Sequence, residues 1–263
     1  MSKIFEALEH ARAERKALKP ELVPAPPAPI AVPAAPSPAP APPAAKVQPF
    51  SFQPFEAAFE REMAGIFHPI VSALPNGKGT ILFIGTNEND GTSTIAREFA
   101  SFVATHGGLT TLLFDADRQK PSQLTRFGLR GATDFEQVIT DGRPIDEAIY
   151  AVRNTGLHVG ALALRPTARP FVFASPRADH LMTQLRDRFD VVVVDAPAPT
   201  ISPDMLALAA KADGVVLVIQ SEETRFHQAK RTKELIETNG GKLIGLVFNK
   251  RRFFIPDWIY KRL

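Results

Sequence analysis

An α/β fold with a doubly wound, mostly parallel sheet is predicted by three features of this 263-residue sequence. Short apolar runs such as Ile81–Ile84, Val191–Val194 and Val215–Ile219 recur without polar alternation. Segments with apolar residues at helical spacing separate them. The first run leads into a polar loop ending in Gly91 and then into a helical pattern at Ile95, Phe99 and Phe102. Runs of this kind, spaced by helices, indicate strands buried on both faces.

Taken in order, residues 2–19 predict a short amphipathic helix with Ser2 as N-cap and Ile4, Phe5, Leu8 and Ala11 on one face. That stripe needs a cover, either the body of the protein, a partner helix or a membrane. Residues 20–49 hold half of the chain's 24 prolines, mixed mostly with alanine. They read as a polyproline II tether of roughly 90 Å at full extension, with an SH3-type ligand as the other reading. The folded domain is expected over residues 50–249. It opens with Phe52, Phe55, Phe59, Met63, Ile66 and Phe67 at helix-like spacings and a turn over 75–79. After the first strand, loop and helix come a strand over Thr110–Asp115, one or two short helices within 134–151, and a strand from Leu157 to Leu162. A helix over Arg177–Arg188 precedes a buried strand over Asp190–Asp195, and another strand covers Asp213–Ile219. A helix over Thr224–Thr238 closes at Asn239-Gly240-Gly241, and Leu243–Asn249 is the last strand. The tail 250–263 interleaves five cations with Phe253, Phe254, Ile255, Trp258, Ile259 and Tyr260. It packs on the domain, or it docks on a partner or on the inner leaflet of a membrane.

Composition narrows the functional classes. With no cysteine there is no disulfide framework and no thiolate metal site. The six histidines, at 10, 68, 106, 158, 180 and 227, show no ligand spacing. The net charge of +3 hides an uneven distribution: residues 1–19 carry about +2, 250–263 about +4, and the middle about −3. Basicity at the two ends argues against a nucleic-acid face and for end-mediated contact with an anionic surface or a partner. No apolar run is long enough to span a bilayer, so a cytoplasmic location is expected.

Ligands of open parallel sheets bind beyond the carboxyl ends of the strands. Three features collect there. A strand, a glycine loop and a helix N-terminus aim backbone N–H groups at an anion. The window Thr86-Asn-Glu-Asn-Asp-Gly91-Thr92-Ser93 follows G-x-x-x-x-G-K-[ST] except that Thr92 stands at the lysine position. Gly91, Thr92, Ser93 and Thr94 would face phosphates, with the Ser93 hydroxyl on a magnesium ion. Asp115 and Asp117 follow the second strand, and Asp195 ends the valine run. Carboxylates so placed suit a metal-bridged phosphate and a positioned hydroxyl.

Residues ~80–250 resemble the bacterial tyrosine kinases (BY-kinases) and, more distantly, the deviant Walker A ATPases of P-loop NTPase type. The likeness rests on Leu112-Leu-Phe-Asp-Ala-Asp-Arg-Gln-Lys-Pro-Ser122, on Phe189-Asp-Val-Val-Val-Val-Asp195-Ala-Pro, and on Ser202-Pro-Asp204 and Ala212-Asp-Gly-Val-Val-Leu-Val in that order. The resemblance implies ATP or ADP with Mg2+ as cofactors. It implies Asp115 and Asp117 near the metal and the attacking hydroxyl, Ser93, Asp115 and Asp195 as the metal set, and Asn249 beside the base. It also implies a polysaccharide co-polymerase in the membrane as partner and a peripheral place at the inner membrane.

The sequence departs from that family at three points. Thr92 replaces the loop lysine, a loss of ~1.5–3 kcal/mol that would weaken nucleotide roughly ten- to a hundredfold. Arg97, Arg118 or Lys120 are conceivable substitutes. The family's Glu-x-x-Arg-x-x-Arg has only Glu56-x-x-Phe59-x-x-Glu62 in its place, and Tyr150 and Tyr260 are the only tyrosines. The expected function is a degenerate kinase homologue serving exopolysaccharide or capsule synthesis and export. An active autokinase and a nucleotide-dependent positioning ATPase are the alternatives.

Overall fold

The computed structural model describes residues 57–165 and 172–250. The expected N-terminal helix, the proline-rich tether and all but the first residue of the basic tail lie outside the described residues. Within them, seven strands form one sheet: β1 (Gly79–Gly85), β2 (Thr111–Asp115), β3 (Tyr150–Ala151), β4 (Leu157–Ala161), β5 (Val191–Ala196), β6 (Gly214–Gln220) and β7 (Leu243–Asn249). Their order across the sheet is β3-β4-β2-β5-β1-β6-β7. All pairs are parallel except β3 with β4, so the doubly wound reading stands with one short antiparallel edge added.

The valine run shows why the pattern was legible. Val191 to Val194 are all 0 % exposed because β5 has a neighbour on each side and helices on both faces. Val191 and Val193 join one core with Phe83, Phe99 and Leu113; Val192 and Val194 join the other with Phe114, Phe135 and Leu185. The first core is roofed by α1 (Ala57–Ser72) and α2 (Thr92–Thr105), whose Met63, Ile70, Phe99 and Val103 are buried. Phe67 packs edge-on against Phe102 at 5.7 Å. Under the second core lie α4 (Phe135–Asp141), α5 (Pro176–Arg188) and α7 (Phe226–Thr238). Two shorter helices, α3 (Gln123–Arg126) and α6 (Asp204–Ala209), were not foreseen.

Local chemistry sets the helix starts. Asp134 accepts from Gln137 N at 2.9 Å while its own N–H donates to Gln137 Oε1 at 3.2 Å, a reciprocal cap on α4. Ser175 caps α5, Pro176 fills its first turn, and Arg186 and Arg188 sit at its negative end. Coverage of β7 falls short of the expected two-sided burial. Leu246 and Phe248 are 49 % and 59 % exposed, because of α7 only Thr232 and Ile236 are buried and the outer end of the edge strand stays uncovered.

Candidate functional site

The loop between β1 and α2 is held from two directions. Asp90 turns its carboxylate back, and Oδ2 accepts from Thr86 N at 2.9 Å and Asn87 N at 2.8 Å. From the far edge of the sheet, Asn249 Nδ2 donates to the Asp90 carbonyl at 2.9 Å. Gly91 has φ 89°, and a Cβ there would lie 2.0 Å from Asn249 Nδ2. Only glycine permits both the left-handed turn and this approach. α2 then begins at Thr92, so its unpaired N–H groups and positive dipole end face the space above the loop. That space is a cleft of about 530 Å³ whose walls include Asn89, Thr92, Ser93, Asp117, Ser122 and Lys250. Its size falls among small-ligand sites.

Thr92 brings no cation to that cleft. Its side chain is buried, and its Oγ1 is turned toward Gly85, where an added Cβ would meet it at 2.6 Å. Ser93 and Thr94 line the cleft beside it. The Asn249 amide is committed on both sides, to the Asp90 carbonyl and, through Oδ1, to Lys250 N at 2.8 Å.

The register of the sheet sets Asp115 directly beside Asp195. Both carboxyls lie beneath the cleft floor rather than on its wall. Asp115 accepts three backbone N–H bonds: Asp117 at 3.1 Å on Oδ1, and Ser122 at 2.8 Å and Gln123 at 2.9 Å on Oδ2. Burial pushes its carboxyl up to about 7, with the negative charge of Asp195 adding and the three N–H bonds opposing. Burial likewise pushes Asp195 up to about 6, against hydrogen bonds from Gln123 and Ser93 that favour its charged form. Of the three aspartates, Asp117 is the one that lines the cleft, and its Oδ1 accepts from Gln119 N and Lys120 N at 2.8 and 2.9 Å.

These residues fit a magnesium ion of the kind that arrives with phosphates. No group of three or more carboxylate or histidine side chains among the described residues could hold a metal by itself. Mg2+ commonly takes one or two protein oxygens and completes its shell with waters and phosphates. Ser93, hydrogen-bonded to Asp195 and open to the cleft, would supply such an oxygen. Asp115, with both oxygens on backbone donors, organises the turn after β2.

One residue of the site, Gln123, carried no local signal. Gln123 Nε2 bridges Asp195 Oδ2 at 2.7 Å and the Ser93 carbonyl at 3.0 Å, tying α3 to the start of α2. Its Oε1 is buried without a hydrogen bond among the described residues. Arg118 Nη2 pairs with Asp204 Oδ2 at 2.5 Å in a buried contact that fastens the post-β2 turn to α6. Lys120 pairs with Glu88 across the cleft mouth, and Arg97 with Glu98 at 3.4 Å. Each cation expected to stand in for the loop lysine therefore has a carboxylate of its own.

No family model matches the chain. It is 29 % identical over 196 residues to the tyrosine-protein kinase YwqD of Bacillus subtilis, covering 74 % of this chain and 76 % of that one. It is 28 % identical over 180 residues to the tyrosine-protein kinase CpsD of Streptococcus pneumoniae, covering 62 % and 72 % respectively. With EpsB of Ralstonia solanacearum it shares 28 % identity over 173 residues, 66 % of this chain but only 23 % of the length of EpsB. Among solved structures it is similar to the chimerical protein CapA2B2, at TM-score 0.64 and 26 % identity over 73 % of this chain and 84 % of that one. The fold is also that of the Pyrococcus furiosus cell division ATPase MinD, at TM-score 0.54 and 18 % identity over 70 % and 78 % of the two chains.

Proposed function

We propose that the chain, which is similar to bacterial tyrosine kinases, is a catalytically degenerate member of that family serving capsule or exopolysaccharide synthesis. In this role it acts from the cytoplasmic side of the membrane on a polysaccharide co-polymerase, and its cleft binds nucleotide as a regulatory ligand. The observation that carries the reading is Thr92. A kinase loop needs a cation on the transferring phosphate, where charge develops as the bond breaks. Here that position holds a neutral, largely buried threonine whose Oγ1 lies toward Gly85, and Arg97, Arg118 and Lys120 are paired elsewhere.

The acceptor side supports the same reading. The Tyr150 hydroxyl donates to the Thr133 carbonyl at 2.7 Å and accepts from Ala132 N and Thr133 N at 2.9 and 3.0 Å. A phenol so engaged is a structural brace rather than a phosphate acceptor. The membrane-side role agrees with the basic residues at both ends of the sequence and the aromatic residues of 250–263.

The test is incubation of the purified full-length chain with labelled ATP and magnesium. No phosphotyrosine is expected. Labelled phosphotyrosine that disappears in Asp115→Asn would overturn the degenerate reading in favour of an active autokinase.

A further inference from the structure

β7 ends at Asn249, and Lys250 follows it with φ 56°, in the left-handed region that ordinary side chains avoid. The bend is held by the Lys250 N–H on Asn249 Oδ1. It sends the side chain back over the loop that precedes α2. Lys250 Nζ donates to the Asn89 carbonyl at 2.8 Å and to Gln220 Oε1 at 3.1 Å, and the residue lines the same cleft as Thr92 and Ser93.

Two things set this ammonium apart from the other cations around the cleft. Its hydrogen-bond partners among the described residues are neutral oxygens, whereas Lys120, Arg118 and Arg97 each face a carboxylate. An ammonium has three N–H donors and these contacts use two, so one is left for an anion. It is also bonded to the loop itself. Arg126, which lines the cleft along with Lys120 and Lys250, is exposed on the short α3 and bonds no residue of that loop among the described residues.

We infer that Lys250 is the phosphate-binding cation of this cleft. It reaches the polyphosphate of a nucleoside di- or triphosphate from the edge strand, replacing the ammonium that Thr92 cannot supply from α2. The inference rests on the reading of the cleft as a nucleotide site. A cation delivered from the end of β7 approaches the loop from its outer side, beside Asn89. It would hold the polyphosphate in place without sitting at the first turn of α2, so binding is retained while the loop lysine's contribution to transfer is lost.

The experiment is calorimetric titration of the full-length protein with Mg-ADP and, separately, with inorganic tripolyphosphate. The proteins compared are the wild type, Lys250→Ala, Lys250→Arg and Arg126→Ala. Lys250→Ala is expected to weaken both ligands about tenfold or more. Lys250→Arg should stay within a few-fold of wild type, and Arg126→Ala should change little. Lys250 is exposed, so unliganded thermal melting of Lys250→Ala should match the wild type, which separates lost binding from lost folding. Mg-ADP bound as tightly by Lys250→Ala as by the wild type overturns the inference and leaves the nucleotide reading intact. Loss of ADP affinity with tripolyphosphate unaffected moves Lys250 to the base or ribose and also overturns it. A wild type that binds neither ligand overturns the inference together with the nucleotide reading.

Discussion

Asp204→Ala tests how the wall of the cleft is held. Arg118 and Asp204 meet at 2.5 Å with side chains 10 % and 6 % exposed, and Arg118 Nη1 is already buried without a hydrogen bond among the described residues. Deleting the carboxylate strands a guanidinium charge in a place that water reaches poorly. Breaking a buried pair in this way costs about 3–5 kcal/mol. An exposed pair such as Lys230–Glu234, at 62 % and 59 % exposure, contributes about 0–1 kcal/mol at most. The assay is urea denaturation at neutral pH with linear extrapolation, comparing Asp204→Ala with Glu234→Ala. The joint replacement Arg118→Met with Asp204→Leu should recover most of the loss, because it removes both charges and keeps apolar volume against α6. Arg118 lies between Asp117 and Lys120, so the single variant should also loosen the turn that lines the cleft and weaken Mg-ADP. A loss below about 1 kcal/mol for Asp204→Ala would refute the assignment of this pair as the buried pin of the post-β2 turn.

The Asp115–Asp195 pair makes the metal-free chain less stable as pH rises. With folded carboxyls at about 7 and about 6 against an ordinary 3.8, the folded chain binds more protons than the unfolded one between about pH 4 and 7. From pH 6 to 7 that excess is roughly one proton, or on the order of 1 kcal/mol of stability lost per pH unit. In chelator, Asp195→Asn should flatten this slope by removing one titrating group and the charge that raises Asp115. A slope equal to wild type would show that other groups carry it. Thr92→Lys should raise Mg-ATP affinity about ten- to a hundredfold by calorimetry, and no gain would show that the missing loop ammonium does not limit binding. Gly91→Ala forces a Cβ into a left-handed turn 2.0 Å from Asn249 Nδ2. It should cost about 1–3 kcal/mol in denaturation and reduce nucleotide affinity; unaltered melting and binding would show that the loop yields there.

The sequence by itself determined the order of the longer strands and helices and the place of the loop. A strand with neighbours on both sides, such as β5, must be apolar at every position, and a turn with φ 89° demands Gly91; both leave a mark within a few consecutive residues. β3 is only two residues long, too short for any periodicity, and α3 and α6 span four and six residues. Beyond Ser93, Thr94 and Asp117, the tertiary structure alone decided which polar side chains are brought to the cleft and hold its walls. Gln123 reaches Asp195 across 72 positions of sequence, Arg118 reaches Asp204 across 86, and Lys250 reaches Asn89 across 161. Contacts of that range depend on how the carboxyl ends of parallel strands converge in space, and no local pattern of residues records that convergence.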